Sequence, residues 1–168
     1  MDIRVHAPGV LVYGAASVSC ALGLGGIGGN KLEGDGTTPA GRFPLRRVMY
    51  RPDRLARPET TLPVRELRPD DGWCDAPGCP EYNRPVRLPH EGGHEVLWRT
   101  DGIYDVLVEL GYNDDPVIDG RGSAVFLHVA RAGYPATEGC VALALNDLLD
   151  LLAACPTGAR LVVSPDPP

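Results

Sequence analysis

No block of Lys or Arg appears anywhere in this chain, and the net charge over its 168 residues is -6. Nucleic acids and anionic membrane surfaces need a basic stripe to meet their phosphates, so neither is an expected partner. Long apolar runs are missing too. The stretch from Val10 to Ile27 is cut by glycines, serines and a tyrosine, which leaves neither a bilayer span nor the unbroken apolar core of a secretory signal. Neither a membrane segment nor an export signal is read from these residues. Segments with helical periodicity are few, while Gly 21 and Pro 17 are high. That balance favours short strands joined by many turns. With 43% hydrophobic and 23% charged residues, one soluble domain, 1–168, with a sizeable core is expected.

Strand-like runs open the chain at Ile3, Val5 and Val10-Leu-Val12, broken at Pro8-Gly9, and the alternation around Ser17-Val18-Ser19 carries Cys20 inward. Gly23-Leu-Gly-Gly-Ile-Gly28 matches G-x-G-x-x-G in form. A dinucleotide site needs a helix N-terminus next, and another Gly/Thr/Pro turn follows instead. This is a glycine-rich strand-end loop, and no cofactor is expected. A strand runs from Arg42 to Arg51, with Pro44 placing its start at an edge or a bulge.

Residues 51–95 are irregular, with proline recurring from Pro52 to Pro89. Leu55, Leu62, Val64, Trp73, Tyr82, Val86 and Leu88 are spaced to anchor an ordered covering loop. Trp73, Tyr82 and Asn83 offer aromatic faces and an amide for a wall over a polar substrate, or else the buried anchors of a surface insertion. Cys74, Cys79, His90 and His94 run C-x4-C-x10-H-x3-H, close to a zinc spacing. The surrounding prolines and Gly92-Gly93 oppose the usual strand-and-helix scaffold, so no metal is expected. A Cys74-Cys79 disulfide and free loop thiols both stay open. The five cysteines are an odd number, which fits one kept free for chemistry.

A core strand is expected over 104–112, turned by Asn113-Asp-Asp-Pro116, so Tyr112 and Asn113 land at a strand end. There they border a site, or Asn113 simply caps its own turn. Arg121 could meet a carboxylate as a planar fork or lie solvated on the surface. Near the end, Asn146 is expected to cap a helix starting at Asp147. Pro156 and Gly158 stop it, a strand over 160–163 follows, and residues 164–168 should fray.

The chemistry gathers between Ser123 and Leu143. An apolar run through Ala124, Val125, Phe126 and Leu127 ends in His128, and a Gly/Pro loop then leads to Thr137-Glu138-Gly139-Cys140 and a second apolar run. A thiol nucleophile needs a base within hydrogen-bond reach, because the thiolate is the reactive form. His128 can be that base. Gly139 frees the backbone beside the sulfur, so that nearby amides can face a developing oxyanion. A buried structural cysteine beside a satisfied histidine is the competing reading.

The order His128, loop, Thr137-x-Gly139-Cys140-Val141, short helix resembles the YkuD-type L,D-transpeptidase catalytic domain of bacteria. Glu138 stands where that family usually has a second histidine, and Ala142 where it has Asn or Arg; the His-to-Cys loop is short. A second patch, Lys31-Leu-Glu-Gly-Asp-Gly-Thr-Thr-Pro-Ala-Gly-Arg-Phe-Pro-Leu45, is similar to the family's "EGDGxTPxGxF" segment. With Tyr112-Asn113, the likeness extends from about Gly23 to Val163.

The resemblance implies a mainly β, β-sandwich-like domain with one short packed helix. It implies Cys140 as nucleophile, His128 as base oriented by the Val129 carbonyl, the amides of Gly139 and Cys140 as oxyanion donors, and Thr137 holding the loop. Tyr112, Asn113, Arg121, Glu138, Tyr82, Asn83 and Trp73 are then the candidates for substrate contact. Donor and acceptor would be peptidoglycan stem peptides, carbapenem β-lactams would acylate Cys140, and the protein would work as a monomer facing the periplasm or cell wall. Hydrolysis of peptidoglycan-linked amides, or silent binding of peptidoglycan, are the alternatives.

Overall fold

The computed structural model describes residues 1–166. Alternation of buried Ile3 and Val5 with exposed Arg4 makes β1 (Asp2–His6), which pairs antiparallel with β2 (Val10–Tyr13) across the Pro8-Gly9 turn. β3 (Ala16–Ala21) continues the meander and buries Cys20, as its alternation predicts. β4 (Ile27–Gly28) and β5 (Thr38–Pro39) form a short parallel pair. β6 (Gly41–Tyr50) is the long strand expected over 42–51.

The proline-rich section holds only short strands: β7 (Val64–Glu66), β8 (Asp71–Cys74), β9 (Pro85–Arg87) and β10 (His94–Val96). β11 (Val106–Leu110), β12 (Phe126–Val129) and β13 (Val141–Leu143) follow. Helix α1 (Leu145–Ala154) and β14 (Arg160–Ser164) complete the chain.

The main sheet runs β11-β12-β13-β3-β2-β1-β14-β6-β7, and β11 also pairs with β6. Its two layers are therefore joined at both edges, through β3 and through β6. The first half of β6 pairs with β14 and the second half with β11. Pro44 sits at this handover, where the β11 ladder shifts register between Glu109 and Leu110; a residue without an N–H is tolerated at such an irregularity. The fold is the β-sandwich-like one expected, closed into a barrel.

Period-two alternation gives β6, β11 and β12 two buried faces. Val48, Tyr50, Val106, Val108 and Leu127 enter the main core, together with Leu148, Leu151 and Leu152 of α1. Met49, Leu107 and Phe126 point the other way and join Trp73, Leu97, Tyr104 and Cys140 in a second cluster. The long irregular section is what covers that second face, with β8, β9 and β10 as a small sheet of their own. His128 shares the face of Phe126, two residues away. The covering section thus decides what surrounds it.

Two expectations are corrected. Helix α1 begins at Leu145 rather than Asp147, with Ala144 in the cap position and no side-chain cap. β13 ends at Leu143, so the chain must turn at once to bring Leu148, Leu151 and Leu152 onto the core; the Ala144 carbonyl accepts the Leu148 N–H at 3.0 Å, and Asn146 is left exposed in the first turn. The tail is also tied further than expected, since His6 Nδ1 lies 2.9 Å from the Asp166 carbonyl. Residues 167–168 of that tail lie outside the described residues.

Candidate active site

β12 and β13 run parallel as neighbours, with Leu127 opposite Val141 and His128 opposite Ala142. Cys140 immediately precedes β13, so the register brings it beside Phe126 of β12, two residues before His128. Cys140 and His128 both line a cavity of about 600 Å³, and Cys140 also borders a second of about 660 Å³. The two cavities share Asp75, Glu95, Ala136, Thr137, Glu138 and Cys140. Cys140 is one of the six residues at which they meet.

His128 is 6% exposed, with Nδ1 2.9 Å from the Val129 carbonyl. Tyr104 stands edge-on to it and gives its hydroxyl to Glu95. Burial is the main cause that lowers the His128 pKa, to about 4; Arg131 and Arg99 also lower it, against the Val129 carbonyl. Cys140 Sγ donates to the Ala124 carbonyl at 3.2 Å and accepts the Phe126 N–H at 3.3 Å. Burial, followed by the Glu95 carboxylate, pushes its thiol up to about 12, with Lys31 and the Phe126 amide pulling the other way. At neutral pH the resting pair is thiol and neutral imidazole. Glu95 is itself raised, first by burial and then by Asp75 and Glu138, against the Tyr104 hydrogen bond.

The loop before the thiol is held by backbone contacts. Thr137 Oγ1 donates to the Cys140 carbonyl at 2.7 Å and accepts the Gly139 N–H at 3.1 Å. Its main chain pairs with Gly23-Leu24 on one side, while the Thr37 carbonyl packs onto Gly139 on the other. A Cβ at Gly139 would lie 2.8 Å from Thr37 O, and one at Gly23 would lie 2.1 Å from Gly36 O. Both sequence glycines therefore serve close approach of main chains. Asp35 organises that segment through the amides of Leu32 and Thr37 and through Lys31. Burial raises its pKa, but these contacts outweigh burial and leave it at about 2. Lys31, 5% exposed, borders the second cavity beside Gly139.

Of the residues read as substrate contacts, Glu138 lines both cavities, whereas Trp73, Tyr82, Asn83, Tyr112, Asn113 and Arg121 line neither. These six stand behind the wall. Asn83 Oδ1 accepts from Trp73 Nε1 at 2.9 Å and from the Ala124 N–H at 3.0 Å, and its amide donates to the Tyr112 and Asn113 carbonyls. Tyr82 bonds Glu33 and accepts the Gly122 N–H. Tyr112 gives its hydroxyl to the Arg121 carbonyl, and Asn113 closes the following loop through Ile118 and Gly122. The polar atoms of Trp73, Tyr82, Asn83, Tyr112 and Asn113 are consumed within the protein, while the Arg121 side chain is exposed away from both cavities. Sequence reasoning passed over Glu95, Tyr104 and Asp75. Tyr104 was legible only as the start of a core strand, and the irregular section around Asp75 and Glu95 gave no sign that either carboxylate borders the cavities at Cys140.

A family model for the L,D-transpeptidase catalytic domain, YkuD, matches residues 5–163. No curated protein and no solved structure matches the chain.

Proposed function

Because the chain belongs to the YkuD family of L,D-transpeptidase catalytic domains, whose function lies in peptidoglycan, we propose that it is a cysteine acyltransferase joining two stem peptides. The observation that carries this reading is the position of Cys140 where two cavities meet. A donor chain in one and an acceptor in the other would both reach one sulfur, as a two-step transfer requires.

In the first step Cys140 leaves its hydrogen bond to Ala124 and gives its proton to His128, while the sulfur attacks the carbonyl of an L-residue linked to a D-residue. A C–S bond forms. The C–N bond breaks, and His128 hands the proton to the leaving amine. The Cys140 N–H is the first oxyanion donor, and the Gly139 N–H becomes the second by releasing Thr137 Oγ1; each is worth about 3 kcal/mol in comparable sites. In the second step an acceptor amine attacks the thioester and gives its proton to His128, a C–N bond forms, the C–S bond breaks, and His128 returns the proton to the Cys140 thiolate. The link is 3-3 or 1-3, set by whether the donor carbonyl belongs to position three or position one of the stem.

The test is incubation of the protein and its Cys140→Ala variant with tri- and tetrapeptide muropeptides, read by mass spectrometry. Cys140-dependent dimers are expected, and their fragmentation names the donor position. Shortened monomers alone would move the reading to an amide hydrolase. Bound muropeptide with no Cys140-dependent product would make it a silent binding domain.

A further inference from the structure

Cys74, Cys79 and His90 take no part in the chemistry above, yet their ligand atoms all lie within 4.8 Å of one another. The prolines and Gly92-Gly93 deny them the familiar strand-and-helix frame, and the fold supplies another. Cys74 ends β8 and is fully buried. Cys79 sits between two tight turns: its N–H reaches the Ala76 carbonyl at 3.1 Å, and its own carbonyl accepts the Tyr82 N–H at 2.9 Å. Gly78 before it has φ +84, which an L side chain rarely adopts.

The distances suit a metal. Cys79 Sγ is 3.7 Å from His90 Nε2. A tetrahedral zinc with Zn–S of about 2.3 Å and Zn–N of about 2.1 Å has an S···N edge of about 3.6 Å. His94 lies opposite Cys74 in the β8–β10 ladder, so their side chains share one face of that small sheet. Its Nδ1 is 2.8 Å from the Gly92 carbonyl, which leaves Nε2 available, and its ring is 6.0 Å from that of His90. A carbonyl on the far nitrogen is the usual support of a metal-bound imidazole.

We propose that Cys74, Cys79 and His90 form a structural zinc site that fixes the covering section against the active-site strands, with His94, which lies outside that 4.8 Å cluster and borders the cavity at His128, turning in as the fourth ligand. Two thiolates with imidazoles select zinc over hard cations. Binding forms two Zn–S bonds, releases two thiol protons to solvent and leaves the metal oxidation state unchanged. The site lies at a mechanical junction. Asp75 follows Cys74 and Glu95 follows His94, and both line the cavities at Cys140. Tyr82 and Asn83, next along from Cys79, hold Gly122 and Ala124 at the entry to β12. A three-stranded sheet of short strands buries little by itself, and a metal staple is one way such units hold together.

The test uses the full chain carrying Cys140→Ala, so that the nucleophile cannot bind metal, purified from zinc-supplemented medium under reducing conditions. Equimolar zinc by elemental mass spectrometry is expected, and it should be lost on adding Cys79→Ser or His90→Ala. Cobalt substitution should give tetrahedral d–d bands with thiolate charge transfer, weakened by His94→Ala. Chelation should lower the melting temperature of the parent but not of the Cys79→Ser protein, whose half-buried position tolerates the change. Zinc retained undiminished in Cys79→Ser, no zinc in any form, an octahedral cobalt spectrum, or a Cys74-Cys79 disulfide in the fresh protein would each overturn the proposal.

Discussion

Tyr104 and His128 meet edge to face with ring centroids 5.3 Å apart, and the Tyr104 hydroxyl passes on to Glu95. The base is thus backed by an aromatic ring whose polar end is tied to the carboxylate nearest in effect to the thiol. Burial is the largest cause of the raised Cys140 pKa, and Glu95 comes next.

Removing the Glu95 charge should therefore release part of that shift. In Glu95→Gln, the midpoint for iodoacetamide alkylation of Cys140, followed by peptide mass, is expected to fall by roughly one pH unit. A midpoint that stays put or rises would show that the carboxylate does not act on the sulfur.

His128 gives the protein a pH-dependent stability of defined sign. Its folded pKa of about 4 lies below the ordinary 6.5, so the unfolded chain binds the extra proton between those values. Stability is then expected to fall as pH drops from about 6.5 to about 4, by ~3 kcal/mol in all. Urea denaturation across that range measures it, and His128→Gln should flatten the slope. An equal slope in both proteins would assign it to other groups.

The two loop glycines make a matched pair. Gly139→Ala places a Cβ 2.8 Å from Thr37 O and 3.1 Å from Lys31 Nζ, at φ +134, whereas Gly133→Ala, at φ +79, meets nothing within 4 Å. Gly133→Ala should cost only the backbone strain, about 1 kcal/mol. Gly139→Ala should cost more than ~3 kcal/mol and slow Cys140 alkylation. Equal costs by thermal denaturation would remove the close approach from the account.

Asn83 satisfies four partners from one side chain, at φ +54, a conformation that asparagine tolerates. Asn83→Ala strands a buried indole N–H and the Ala124 amide, for an expected loss of ~3 kcal/mol or more. Arg121→Ala, on an exposed side chain, should change stability by under about 0.5 kcal/mol. A mild Asn83 variant with weakened muropeptide binding would return Asn83 to the substrate.

Carbapenems mimic an acyl donor, so one equivalent should add its whole mass to the parent and none to Cys140→Ala. Acylation should hold level from about pH 6 to 8, because His128 is neutral throughout that window. An acid limb near 6.5 would mean that His128 titrates normally.

The Thr137-x-Gly139 motif and the Gly23 loop were legible because backbone geometry dictates them: only glycine fits at Gly23 and Gly139, and only a short polar side chain at Thr137 can bond within its own loop. The strand ladder followed from alternation, as with Ile3 and Val5. The cavity walls were not legible. Glu95 and Asp75 come from the proline-rich section, where no period fixes which face a side chain takes, and their approach to Cys140 depends on how β8 and β10 dock. Tyr82, Asn83 and Trp73 carried the right chemistry for a binding wall, but chain packing turned that chemistry inward.

The pairing of β11 with β6 leaves the barrel strands no free edge among the described residues. Among the described residues, strands with one whole edge unpaired are then β7, the two-stranded β4–β5 pair, and β9 and β10 of the covering section. Under partial denaturation, intermolecular strand addition and aggregation should start there, while the barrel bearing Cys140 stays closed to templating by a neighbouring molecule.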